Sequence, residues 1–296
     1  YEAYKNGTDP VLHPNTNWYK QAMKKRSALQ SYNLNVTGGG KVAQYFVSLG
    51  YSREDGLFRS SSANSYDTNL KNERYLITSK VNVNITDDIK LGATLMGRIE
   101  EGNQPGAGYG NLFDLIYRTP NNAYPIFNPN GSYGGSAAHP QNIWAQTINS
   151  GYIRDNTRDV LASAYLNYDF GKLVKGLSAR VDASISTQSR SGVLRNKQAV
   201  VFEYQIDEEG AYVYAPFGSQ NSQINAFASV YNYENMFGQF AVNYDRTFGK
   251  HGINATLLAN QMQETMNYNL PENPANLVAR AKYNYQMKYF AEAAIN

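Results

Sequence analysis

The chain has 296 residues, 42% hydrophobic and only 17% charged, yet its mean hydropathy is −0.54, so its polarity comes from Asn, Ser, Gln, Thr and Tyr rather than from ions. A net charge of +3 is too small for a nucleic-acid partner, and the lack of Cys excludes a disulfide framework while suiting an oxidising periplasm. No run approaches the eighteen or so apolar residues of a membrane helix, whereas 25 Tyr among uncharged polar residues suit strands with one wall to lipid and one to water.

Residues 1–26 are mixed, and Asn15-Thr16-Asn17 predicts the cap of a short helix through Trp18, Ala22 and Met23. The clearest element follows. Tyr32, Leu34 and Val36 alternate with Ser31, Asn33, Asn35 and Thr37. After Gly38-Gly39-Gly40, Ala43, Tyr45, Val47, Leu49 and Tyr51 alternate with Gln44, Ser48 and Gly50, with Phe46 as the exception. Side chains of a strand alternate faces, so this is a hairpin with one apolar and one polar wall, reversed at glycines that tolerate positive φ.

Residues 53–72 read as a loop. A strand over 73–85 shows Tyr75, Ile77, Val81, Val83 and Ile85 on one face, and a strand over 89–99 shows Leu91, Ala93, Leu95 and Ile99. Residues 101–159 form a segment too long for an ordinary connection. Alternation resumes at Ala162–Phe170 and Leu177–Ile185. A second excursion over 187–238 holds a small hairpin around Asp207-Glu208-Glu209-Gly210. Further strands run over 239–248, 253–260, 279–285 and 289–295.

Short turns at 37–41, 86–88, 171–176, 249–252 and 286–288 alternate with long loops. Strict alternation of this kind is the plan of an up-and-down transmembrane β-barrel in an outer membrane; a soluble sandwich mixes its connection lengths. The fold class expected is all-β, antiparallel, about ten strands of a larger barrel. Residues 1–28 would be a lead-in segment and 29–296 barrel wall. The start at Tyr1 and the stop inside a strand are those of an internal piece. Tyr32, Leu34, Val36, Tyr45, Val47 and Leu49 are expected to face lipid, and Asn33, Asn35 and Gln44 the lumen.

Chemistry-bearing motifs are few. His13, His139 and His251 lack metal-ligand spacing, and no Cys assists them. Asp207-Glu208-Glu209 reads as a solvated loop tip rather than a calcium loop. Arg180 and Asp182 are expected to face the lumen and pair with neighbouring strands. No nucleophile, base and acid fall in a catalytic order, and the glycine-rich run 102–110 has no Lys to hold a phosphate, so no catalytic residue, metal or cofactor is expected. The loop over 102–151 is the best candidate site. It crowds Tyr109, Phe113, Tyr117, Arg118, Tyr124, Phe127, Tyr133 and Trp144. Aromatic faces stack on sugars and anchor protein partners. The competing reading puts Phe113, Ile116 and Tyr117 on one side of a short helix that packs the loop on the barrel mouth.

Gln30-Ser-Tyr-Asn-Leu-Asn-Val-Thr-Gly-Gly39, Gln44-Tyr-Phe-Val-Ser-Leu-Gly-Tyr51 and Arg53-Glu-Asp-Gly-Leu57 carry a family likeness. So do Leu112-Phe-Asp-Leu-Ile-Tyr-Arg-Thr-Pro120 and Asn128-Pro-Asn-Gly-Ser-Tyr-Gly-Gly135. Through them the chain resembles the barrel of SusC-like (RagA-like) TonB-dependent outer-membrane transporters of Bacteroidota. The resemblance implies a 22-strand barrel with an N-terminal plug, parts of which lie outside this sequence. It also implies active import of an oligosaccharide or oligopeptide with a SusD-like surface lipoprotein, coupling to TonB, a dimer of transporter–lipoprotein pairs, and no bond-making chemistry. A passive porin, or less readily a barrel enzyme, is the alternative.

Overall fold

The computed structural model describes residues 1–62, 64–219 and 222–296. Helices α1 (Glu2–Asn6) and α2 (Trp18–Ala22) precede the hairpin of β1 (Leu29–Gly39) and β2 (Ala43–Asp55). The Asn17 side chain caps α2 by accepting from the Lys20 N–H at 2.9 Å, as its sequence predicts. β3 (Lys71–Asn84), β4 (Ile89–Pro105), α3 (Tyr109–Arg118) and α4 (Ile143–Asn149) follow. Then come β5 (Gly151–Asp169), β6 (Leu177–Asn196) and the separate hairpin of β7 (Val201–Ile206) and β8 (Tyr212–Phe217). The last four strands are β9 (Ile224–Phe248), β10 (His251–Met266), β11 (Ala275–Tyr285) and β12 (Tyr289–Ile295).

The main sheet has ten strands in the order β1-β2-β3-β4-β5-β6-β9-β10-β11-β12, each antiparallel to its neighbour. This is the expected up-and-down meander. The β1–β2 turn needs its glycine: Gly39 has φ 146°, and a Cβ there would meet the Ala43 carbonyl oxygen at 2.4 Å.

Directly opposed residues share a face, so the registers define rows across the sheet. One row runs Ala43, Val83, Leu91, Leu166, Val181, Phe240, Ala259, Leu277 without a polar residue. Gln44, Asn82, Tyr165, Asp182 and Gln239 occupy the row behind it, on the other face. Among the described residues nothing covers the apolar wall: Leu34 is 61% exposed and Leu257 52%. It is the wall that meets lipid.

The belt also fixes the strand tilt. On β1 the loop-side limit of the apolar face is Tyr32; on β10 it is Ala259, four rows or eight residues lower, over seven strand-to-strand steps. At ~3.4 Å per residue and ~4.8 Å per strand, this drift is a tilt of about 35–40°, the range of transmembrane barrels. On β4 the apolar face spans Ile89 to Ile99; ten residues at that tilt rise about 26 Å, close to the height of an outer-membrane apolar band.

The strands outrun the belt, which corrects the sequence reading. β4 continues to Pro105, β5 starts at Gly151, β6 reaches Asn196 and β9 starts at Ile224. The connections expected over 101–159 and 187–238 therefore shrink to 106–150 and 197–223. Beyond lipid both faces are wet, so the alternation of polarity disappears while the hydrogen-bond ladder continues. Residues 1–28 add no strand to the sheet and lie on its loop side.

Candidate functional site: the loop-side platform

The buried core of the chain lies above the belt. Trp18, Ala22 and Met23 of α2 and its cap pack with Phe58, Leu112, Tyr124 and Ile143, all between 0% and 6% exposed. The Trp18 indole Nε1 donates to the Pro120 carbonyl at 3.2 Å, and its ring lies 4.7 Å from that of Tyr124. The Met23–Phe58 bridge and the Arg59 N–H, which donates to the Ala22 carbonyl, join α2 to the β2–β3 connection. Three separate stretches thus share one core.

Polar side chains then fix its geometry. Asn142 is fully buried. Its Nδ2 donates to the carbonyls of Ile126 (3.0 Å) and Gly134 (2.8 Å), while its Oδ1 accepts from the Ala145 N–H at 3.1 Å and caps α4. The Tyr124 hydroxyl donates to the Gln141 carbonyl at 3.0 Å and accepts from the Ile143 N–H at 3.3 Å. Burial pushes its pKa up to about 12, so it keeps its proton and its donor role. Asn128 Nδ2 reaches the Phe202 carbonyl at 2.9 Å, which ties the loop to the β7–β8 hairpin. The neck is closed where the Gly106 N–H donates to the Gly151 carbonyl at 3.0 Å; a Cβ on Gly106 would meet the Ser150 carbonyl oxygen at 2.0 Å. Residues 106–150 are a stapled platform.

The structure divides the eight candidate residues. Tyr124 is buried in the core, and Trp144 is half-buried on α4. Phe127 and Tyr133 stack at 5.4 Å across a local bridge. Tyr109, Phe113 and Tyr117 fall at i, i+4 and i+8 on α3 and share one exposed side, Tyr117 being 90% exposed. Arg118, also exposed, pairs with Asp114 at 2.7 Å. Of the three residues in the packing reading, Ile116 lies with Leu115 beside the buried anchor Leu112 and the Phe113 ring lies 5.2 Å from that of buried Phe58, whereas Tyr117 is exposed. The inward stripe runs through 112, 115 and 116, which leaves Tyr109, Tyr117 and the outer part of Phe113 to solvent. Local sequence patterning gives no site role to Trp18, Phe58 or Asn142. The Asn17 cap located Trp18 on a helix, but its partners are a hundred residues away.

Below the platform the lumen wall is polar. Arg180 pairs with Asp182 of its own strand at 2.7 Å, because residues i and i+2 share a face, and Gln239 of β9 reaches the same carboxylate at 3.5 Å. The partners expected on neighbouring strands are Gln239 and the Tyr165 ring, 4.1 Å from the Arg180 guanidinium, while the ion pair itself lies within β6. The three His are dispersed: His13 contacts Asp9 at 3.1 Å, the His139 ring lies 5.9 Å from that of Tyr124, and His251 contacts the Tyr283 hydroxyl. Among the described residues no group of three His, Cys, Asp or Glu is placed to hold a metal.

No protein-family model matches the chain. Two curated relatives from Formosa agariphila are similar to it. TonB-dependent receptor P26 is 24% identical over 163 residues, covering 54% of this chain. TonB-dependent receptor P39 is 24% identical over 308 aligned positions, covering 93%. The chain spans 15% and 26% of those relatives' own lengths. Among solved structures, the RagAB peptide importer in its closed-closed state covers 94% of this chain with a TM-score of 0.62 at 14% identity, and its open-open state covers 99% with 0.63 at 15%. The chain spans 32% and 35% of those structures. The ten-stranded meander therefore has the fold of part of a TonB-dependent outer-membrane barrel.

Proposed function

We propose that the chain forms part of the wall and the external rim of a TonB-dependent importer that works with a SusD-like surface lipoprotein. The observation that supports this best is the sequence similarity to two TonB-dependent receptors along a chain with the RagA barrel fold. In this reading the short turns are periplasmic and the platform is extracellular. The barrel makes and breaks no bonds. An oligosaccharide or oligopeptide is captured above the barrel, trapped by the lipoprotein lid, and admitted when TonB supplies the work.

The row Tyr109, Phe113 and Tyr117 is the surface offered to the lid. Aromatic side chains on a rigid helix are the usual anchors of a protein interface, and α3 is held rigid by Leu112 beneath it. The test is a double Tyr109→Ser, Tyr117→Ser exchange in the full-length transporter. Both side chains are exposed, so the barrel should fold and keep its heat-modifiable gel migration. The lipoprotein should no longer copurify, and growth on the imported nutrient should fall. Uptake that persists after TonB depletion would instead favour a passive porin. Unchanged copurification would remove α3 from the interface.

A further inference from the structure

The outer wall of β5 carries two cations that an apolar belt does not require. Arg158 stands in the row of Tyr32, Tyr51, Tyr75 and Ile99, one position beyond Val160, the last apolar residue on that face of β5. Arg154 follows on the same face, with its guanidinium 4.8 Å from the Tyr152 ring centroid. Both are exposed, and among the described residues neither forms an ion pair. At the same level on β2 and β3 the cations are neutralised: Arg53 pairs with Asp55 at 3.1 Å and Lys71 with Glu73 at 2.9 Å. On β4, Glu101 is opposed to Asn156, between the two arginines, and two guanidiniums against one carboxylate leave the patch cationic.

Immediately below Arg158 the wall is indented. Gly97 lies between Ile77 and Val160 in its row and adds no side chain, and Leu49, Ile77, Ile99 and Val160 wall the depression. At its loop end the trough opens on Arg158, Tyr51 and Tyr75, whose rings lie 5.0 Å apart. Tyrosines at this level mark the boundary between hydrocarbon and headgroups.

We propose that this trough seats an anionic, phosphate-bearing lipid of the loop-side leaflet, with an acyl chain over Gly97, its phosphate on Arg158, and the charge of Arg154 about 14 Å further along β5 adding to the attraction. A trough within the belt faces hydrocarbon, which selects an acyl chain as its occupant. A guanidinium at the headgroup level binds a phosphate through two parallel N–H donors, and a zwitterionic headgroup offsets that attraction with its own ammonium. The seat rests on the membrane setting of the barrel and is independent of the import reading.

The test uses the full-length barrel protein, purified in detergent and exchanged into nanodiscs of phosphatidylcholine doped with lipid A or with phosphatidylglycerol. Bound lipid is counted by native mass spectrometry. The parent should retain lipid A or phosphatidylglycerol, which carry net negative charge, in preference to zwitterionic phosphatidylcholine. Each of Arg154→Gln and Arg158→Gln should lower retention about fivefold and the pair about twentyfold, whereas Arg53→Gln, already paired, should have little effect. Gly97→Leu, or Val160→Phe should the first not fold, fills the trough and should lower retention with both charges in place. Equal retention by the double arginine variant, equal retention of phosphatidylcholine, or displacement of the lipid by millimolar inorganic phosphate would each overturn the seat.

Discussion

Asn142 shows how one side chain sets the geometry of the rim. Its three hydrogen bonds join the 126–134 stretch to the start of α4, and its burial leaves no water to replace them. Asn142→Ala removes a helix cap and strands the buried Gly134 carbonyl, while the Ile126 carbonyl keeps the Gly134 N–H at 3.2 Å, so it should destabilise the platform by about 2 kcal/mol. Hydrogen exchange across residues 106–150 should accelerate while the sheet stays protected. Tyr124 gives the same region a pH limit. Burial raises its pKa to about 12, above the ordinary value of 10.0. Above pH ~10 the unfolded platform loses a proton that the folded one retains, so stability is full below that pH and falls by roughly 2 kcal/mol towards pH 12. Cleavage of 106–150 by an alkali-tolerant protease should rise over that window in the parent and stay flatter in Tyr124→Phe.

The hairpin of β1 and β2 was legible as far as Tyr51 because lipid and lumen impose opposite polarities on alternate residues; Arg53–Asp55, read as loop, continue β2. Val47 opposes Val36 and Ser79 in the middle of the belt, so Val47→Arg should cost about 2–4 kcal/mol of barrel stability, measurable by urea unfolding in lipid vesicles. A lipid-phase probe should label a cysteine at 47 and spare one at 33; the reverse would overturn the register. The outer halves of β5, β6 and β9 were not legible. Arg154, Asn156 and Arg158 occupy the lipid-facing side of β5, and Ser189 and Ser191 that of β6, so no apolar face marks them as strand. Pairing there is decided by the ladder that began within the membrane. The platform was partly legible. The aromatic density of 109–144 pointed to it, and the Asp207–Gly210 turn of the β7–β8 hairpin stands where expected. Its core was not, because Trp18, Phe58 and the pair Leu112 and Ile143 come from three distant stretches whose local periodicity says nothing of one another.

Across the whole molecule, every short turn of the main sheet lies on one side and every long connection on the other, which sets both sidedness and the places a protease can reach. The 106–150 loop is long but closed at its neck and filled with a core, whereas the 207–210 turn of the small hairpin is exposed along most of its length. Protease added to whole cells should therefore cut first at 207–210, then in the 267–274 connection, and leave the short turns at 40–42 and 86–88 intact. Early cleavage at those turns would invert the barrel in its membrane. The sheet edges make a second demand. β1 and β12 are the outermost strands, and among the described residues each pairs on one side only. In hydrocarbon an unpaired row of N–H and C=O groups costs several kcal/mol per group, because no water is present to satisfy it. Both edges must therefore meet further strands in a membrane. Expressed by itself in detergent, the 296-residue chain should lack heat-modifiable migration and associate through its edges. Supplying the remaining strands of a parent barrel in the same polypeptide should restore a compact, heat-modifiable monomer. A compact, protease-resistant monomer formed by this chain alone would mean that β1 and β12 close on each other, and the barrel would be a ten-stranded one.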